Sequence, residues 1–192
     1  MLTQLTTVKR RIGLIDTDTS NDPALTLLIE AVLMRFAREC RRRFAREAGA
    51  TMEFPADAKF VVLEVYPLEA VTKIETKSSE REGWIEQTVD YLLRRNSVVE
   101  FVERPGGRNE VGRITYTGGY VLPGTVPGTG QFALPKDLEW AATEQCAHWW
   151  LWKDKVGLYR HAIAGGLELE LRPNALLPQV VGTLKRYERF GG

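Results

Sequence analysis

The 192-residue sequence holds only two cysteines and two histidines, so the side chains that build disulfide frameworks or zinc sites are scarce. Cys40 and Cys146 lie far apart in the chain and read as small buried hydrophobes. No apolar run approaches the roughly 18 residues needed to span a bilayer, and Lys9, Arg10 and Arg11 fall where a secretory signal would hold its apolar stretch. The expectation is a soluble, unexported chain with no membrane partner. Net charge is almost absent as well, at +1, which argues against a dedicated nucleic-acid binder.

What is present describes an ordinary globular protein. With 44% hydrophobic and 27% charged residues, the chain can bury a sizeable core, as one domain or one domain with an insertion. Charge alternates weakly along it, basic up to residue 50 and acidic from 51 to 134, a pattern that permits head-to-tail association of identical subunits.

Hydrophobic spacing predicts a short helix over Thr3–Ile12, with Thr3 as N-cap and Gly13 as its stop. A long helix is expected from Ala24 to about Glu47, behind Pro23 at its first turn, with Leu25, Leu28, Ile29, Val32, Phe36, Cys40 and Phe44 as the buried stripe. Its outer face would carry a second stripe, Arg35, Arg38, Arg42 and Arg46, the strongest basic feature of the chain. Strands are expected over Lys59–Tyr66, Ala70–Lys77, Val89–Leu93, Val98–Glu103 and Val111–Thr117, the last two joined by a turn at Pro105, Gly106 and Gly107. Val121–Ala133, with Pro123, Pro127, Gly128 and Gly130, reads as a mobile loop. A helix resumes after Pro135, and a last helix spans about Ala175–Arg189. Between them Leu167, Leu169 and Leu171 alternate with Glu168 and Glu170 as a short strand without an obvious sequential partner, suited to pairing with another chain.

Motifs for chemistry are incomplete wherever they begin. Gly107–Arg113 has the glycine spacing of a phosphate loop but lacks its Lys and its Ser or Thr. Gly128, Gly130 and Ala133 match a dinucleotide pattern, yet a proline-rich loop precedes them where that site needs a strand. Glu144 and His148 share a helix face while Cys146 points elsewhere, which leaves a metal site short of ligands. No G-x-S-x-G elbow exists, and Cys146 with His148 cannot set thiol beside imidazole on one helix. The expectation is a protein without enzymatic activity, cofactor or metal. The arginine stripe could follow a nucleic-acid backbone, although no neighbouring aromatic offers a stacking platform; a solvated face or pairing with an acidic neighbour accounts for it better.

Taken in order, several short segments are similar to one family. They are Leu5-Thr6-Thr7-Val8-Lys9, the start Leu25–Ile29, Tyr66-Pro67-Leu68 followed by Val71-Thr72-Lys73-Ile74, Ile114-Thr115-Tyr116-Thr117-Gly118-Gly119-Tyr120, and Leu134-Pro135-Lys136-Asp137-Leu138. In this order they resemble the head-tail connector (adaptor, head-completion) proteins of long-tailed, siphophage-type bacteriophages, prophages and gene transfer agents. The resemblance implies an α+β, mainly α connector domain. About four helices, in 1–50 and 134–192, would form a core carrying an antiparallel β insertion over 51–120, a loop over 121–133 and a C-terminal tail over 185–192. It implies a homo-oligomeric, dodecameric ring at the virion neck, built in the host cytoplasm, joining the capsid portal to a stopper or tail-completion protein, with genomic DNA passing through without sequence-specific binding. Lys185, Arg186, Tyr187, Arg189 and Phe190 would then dock on the portal. The loop carrying Pro123, Pro127, Gly128 and Gly130 would face the tail. Arg35, Arg38, Arg42 and Arg46 would face a neighbouring subunit or DNA, and Leu167, Leu169 and Leu171 would form an inter-subunit strand. Residues 162–172 depart from the pattern. Alternatives are a stopper or tail-terminator ring, or a nucleic-acid-binding module using the Arg-rich helix.

Overall fold

A computed structural model describes residues 1–155, 160–163, 167–170 and 175–189. The chain is mixed α+β, with helix and strand in comparable shares rather than mainly helical. It divides into two compact units, Met1–Glu39 with Leu134–Tyr187, and Cys40–Ala133 with Glu188–Gly192.

The first unit is helical. α1 (Leu5–Arg11) begins one residue after Gln4, not at a Thr3 cap; Thr3 instead shares a 2.8 Å hydroxyl hydrogen bond with Thr143. α2 (Asp22–Cys40) buries the expected stripe of Leu25, Ile29, Val32, Phe36 and Cys40. The Lys9 ammonium is almost fully covered, a state tolerated only with partners, and it has them in Asp22 Oδ1 at 2.8 Å and the Asp16 carbonyl at 2.9 Å. α3 (Lys136–Leu151) buries Leu138, Ala141, Ala142, Gln145 and Cys146. Gln145 is a buried amide and is satisfied on both sides: its Nε2 donates to the Ala175 carbonyl at 3.2 Å, and its Oε1 accepts from the Leu177 N–H at 2.9 Å. These bonds lead into α4 (Pro178–Leu184), followed by a single 3-10 turn over Lys185–Tyr187. The helix starts three residues after the expected Ala175, because Pro178 has no N–H to give and fits only the first helical turn.

The second unit is built of sheets. Its strands are β1 (Glu47–Pro55), β2 (Phe60–Val62), β3 (Leu68–Lys77), β4 (Ile85–Glu86), β5 (Tyr91–Arg94), β6 (Val98–Phe101), β7 (Val111–Gly118), β8 (Tyr120–Val121) and β9 (Phe132–Ala133). Antiparallel pairing orders them β1-β7-β3-β4 and β2-β6-β5, and β8 lies parallel to β9. The two sheets share one core: Phe54, Ile74, Ile114 and Tyr116 from the first, Val61, Val99 and Phe101 from the second. Phe54 stacks on Phe101 with ring centres 5.4 Å apart. The Tyr116 hydroxyl, carried into this core, accepts N–H bonds from Val65 at 3.1 Å and Glu64 at 3.3 Å.

Three expectations change here. The long helix stops at Cys40, seven residues before Glu47, where the chain already enters β1. Arg41 takes a left-handed turn at φ 51°, and Arg43 and Ala45 bridge to Val65 and Tyr120, so tertiary pairing overrides the helical propensity of Ala45–Ala48. The segment Lys59–Tyr66 is a strand only over Phe60–Val62. β6 and β7 do not form a hairpin through Gly106 and Gly107 but belong to different sheets.

In the first unit's sequence range, β10 (Arg160–Ile163) and β11 (Leu167–Glu170) form an antiparallel hairpin in the register Arg160↔Glu170 to Ile163↔Leu167. The Leu-Glu strand therefore has a sequential partner that its alternation did not reveal. Leu171 lies outside the described residues.

Candidate interaction surfaces

The four arginines expected to form one stripe have separate fates. Arg35 and Arg38 are on α2, with Arg35 paired to Glu39 at 2.9 Å. Arg42 and Arg46 are beyond the helix end. Arg42 is buried, 3% exposed, with its guanidinium carbon 3.3 Å from the Tyr66 ring centre, 4.9 Å from Phe44 and 5.3 Å from Tyr120. Its Nη2 donates to the Tyr66 carbonyl. Burial pulls its pKa below the ordinary arginine value, and the aromatic faces, with their negative quadrupoles, compensate the cation. Arg46 grips Glu69 through two 2.9 Å bonds. Arg42 thus faces neither DNA nor a neighbouring subunit.

The C-terminal residues also divide. Lys185 and Arg186 are exposed. Arg186 lies 3.1 Å from Asp137 Oδ2, and the Tyr187 hydroxyl donates to Asp137 Oδ1 at 2.6 Å, tying this end to the first turn of α3. Arg189 is turned inward: its N–H donates to the Cys40 carbonyl at 2.8 Å, its Nη2 donates to the Val62 carbonyl, and its Nη1 is 3.5 Å from Glu64. Phe190 lies outside the described residues. Of the described residues expected at the portal, Lys185 and Arg186 are the most accessible.

The Pro/Gly loop is closed at its base by β8 and β9. Gly128 N–H donates to Gln131 Oε1 at 2.9 Å, Gly130 takes φ +78°, and Val126 at the tip is 89% exposed. On the helical unit an open groove of about 610 Å³ runs beside Trp140, lined in part by Arg10, Arg11 and Lys136; Trp140 is half exposed.

The fragments of catalytic motifs are occupied by structural bonds. Gly107 N–H donates to Glu110 Oε2 at 3.0 Å, so a carboxylate sits where a phosphate would. Arg113 is on β7, holding Glu75 with bonds of 2.9 and 2.7 Å. Glu144 accepts from Arg11 Nε and Nη2 at 2.5 and 2.9 Å. Burial pushes the Cys146 thiol up to about 12, which leaves it protonated and unreactive near neutral pH. Burial likewise lowers the His148 pKa. Among the described residues no three His, Cys, Asp or Glu side chains converge as metal ligands, and no helix is long and apolar enough to cross a membrane.

Two features escaped the sequence pattern. Trp84 lies under both Arg113 and Lys77, at 4.1 and 4.7 Å from its ring centre. β5, at the edge of its sheet, is exposed along its whole length despite the run Tyr91-Leu92-Leu93. Three large apolar residues in succession were the available signal for the second.

No protein-family profile matches this sequence, and no curated protein matches it. Solved structures do. A chain from a structure described as the neck of an empty GTA particle, computed with C6 symmetry, superposes with a TM-score of 0.63 at 14% identity, covering 96% of this chain and 88% of that one. The two chains share a fold across nearly their full lengths.

Proposed function

We propose that this protein is a structural subunit of a virion neck. In this reading copies close into a ring in the adaptor position, between portal and stopper or tail-completion protein, and the ring's lumen continues the channel for DNA without reading its sequence. The observation that carries it is the full-length likeness of fold to a chain of a GTA particle neck. It is joined by the ordered connector-like segments from Leu5–Lys9 to Leu134–Leu138. That neck was computed with six-fold symmetry, with which a ring of twelve is compatible, since twelve is a multiple of six.

The protein works through surfaces, without a catalytic step, metal or cofactor. Lys185 and Arg186 offer charge for portal docking, while Arg189 serves the subunit's own fold. The exposed loop around Val126 is the surface assigned to the tail side. Assembly takes place in the host cytoplasm. Deleting the gene tests the assignment: particles should accumulate as DNA-packaged heads without joined tails, and complementation should restore joining. Normal tailed particles in the deletion strain would overturn it.

A further inference from the structure

A helix packed on one side of a globular unit is apolar toward the core and polar away from it. α2 departs from this rule. Its buried stripe, Leu25, Ile29, Val32, Phe36 and Cys40, occupies one side, and by the helical period the opposite side holds Pro23, Ala24, Leu27, Ala31 and Met34, all exposed. Leu27 and Met34 are 67% and 69% open. Between Pro23 and Met34 the one exposed charged residue is Glu30; Arg38 and Glu39 follow only in the last turn. Ala24, Leu27, Ala31 and Met34 alternate steps of three and four residues, the seam spacing by which one helix packs on another. The two alanines leave Leu27 and Met34 standing as knobs about 10 Å apart along the helix, two turns of a ridge.

The groove beside Trp140 has the complementary form. It lies on the same helical unit, lined by α1 and α3, is open, holds about 610 Å³ and shares no residue with the ridge. Its charged rim is paired internally: Arg11 with Glu144 at 2.5 Å, Lys136 with Glu139 at 2.7 Å, and Arg10 with Asp16 at 2.6 Å. What stays open is the half-exposed Trp140 indole, so the groove suits an apolar occupant rather than an anion. From Lys136 to Glu144 it follows α3 for about 12 Å, long enough for both knobs of the ridge. A thioether such as that of Met34 also makes a favourable contact with an aromatic ring. We infer that the α2 ridge of one copy seats in the α1-α3 groove of the next and covers Trp140, an inference that rests on the ring reading above. Because ridge and groove are different surfaces, the contact is heterologous and repeats head to tail, the arrangement that generates rings.

Mixing full-length variants tests this. Met34→Glu blocks the ridge and Trp140→Glu the groove, and each should lower the apparent association constant at least tenfold by analytical ultracentrifugation. Leu27→Glu and Trp140→Ala repeat the two blocks independently. All four replace exposed side chains, so each variant should melt cooperatively near the wild-type temperature, and Met34→Leu should still assemble. Mixed in equal amounts, the Met34→Glu and Trp140→Glu chains keep one intact groove and one intact ridge between them, and should form a heterodimer that grows no further. If the wild type forms rings and the ridge variants form them equally well, or the mixture stays monomeric, the pairing is wrong and the ring reading stands. A wild-type chain that forms no oligomer overturns both. Intact rings of a ridge variant that no longer bind another virion protein assign the ridge to that protein and overturn the inference.

Discussion

Arg42 and Arg46 stand four residues apart, the spacing of one helix face, yet one is sealed among aromatic rings and the other, itself open to solvent, holds the largely covered Glu69 carboxylate. Removing a buried cation with its hydrogen bond and ring contacts is costly. Arg42→Ala should lose about 3 kcal/mol in chemical denaturation, near the sum expected for a desolvated cation-π contact and a charged hydrogen bond. Arg46→Ala should cost less, because its pair with Glu69 is open to solvent on the arginine side. Equal effects of the two substitutions would contradict these assignments. The sequence could not separate them, because the partners Tyr66 and Tyr120 come from distant turns of the chain and leave no local signature. Cys146, by contrast, was legible as a buried hydrophobe from its place on the apolar face of α3.

Glu75 gives the same scale a pH dependence. The Lys73 ammonium at 2.6 Å, followed by the Arg113 guanidinium, holds its carboxyl below the ordinary glutamate value. A folded pKa below the unfolded one contributes stability at neutral pH that is lost as pH falls through the folded value. Glu75→Gln should therefore be less stable than wild type at pH 7 and lose stability less steeply as the pH falls below the ordinary glutamate range. Parallel stability curves for the two proteins would count against this ion cluster.

At the scale of elements, periodicity located α1, the start of α2, α3, β3, β6 and β7 to within a few residues, because each buries one face against its own unit. It failed where long-range pairing decides. The Arg-rich end of the supposed helix is pulled into bridges with Val65 and Tyr120, and β1 was hidden behind helix-forming residues. Gly112 marks another such place. It faces Phe54 across β1 and β7, and a Cβ there would come within 2.6 Å of the ring. The ring is stacked on Phe101 and has little room to retreat, so Gly112→Ala should cost about 1–3 kcal/mol by overpacking. Thermal melts of that variant beside Gly107→Ala, whose Cβ meets nothing closer than 3.8 Å, would separate the steric effect from loss of backbone freedom.

For the whole molecule, the candidate site was only partly legible because it is a set of surfaces rather than a constellation. The loop from Pro123 to Gly130 could be named from composition, and the basic residues Lys185 and Arg186 from the family resemblance. The exposed β5 edge left only the apolar run Tyr91-Leu92-Leu93 as a signal, since exposure depends on sheet order. Likewise β10 carries no alternation that announces it as the partner of β11. What unites these surfaces is that they sit on a fold shared with a chain of a GTA particle neck. The most direct test of the central claim is a cryo-electron microscopy reconstruction of the neck of the particle that carries this protein. The account predicts a ring of this chain seated against the portal, with the 121–133 loops toward the tail. Its absence from the neck, or a single non-ring copy there, would contradict the account.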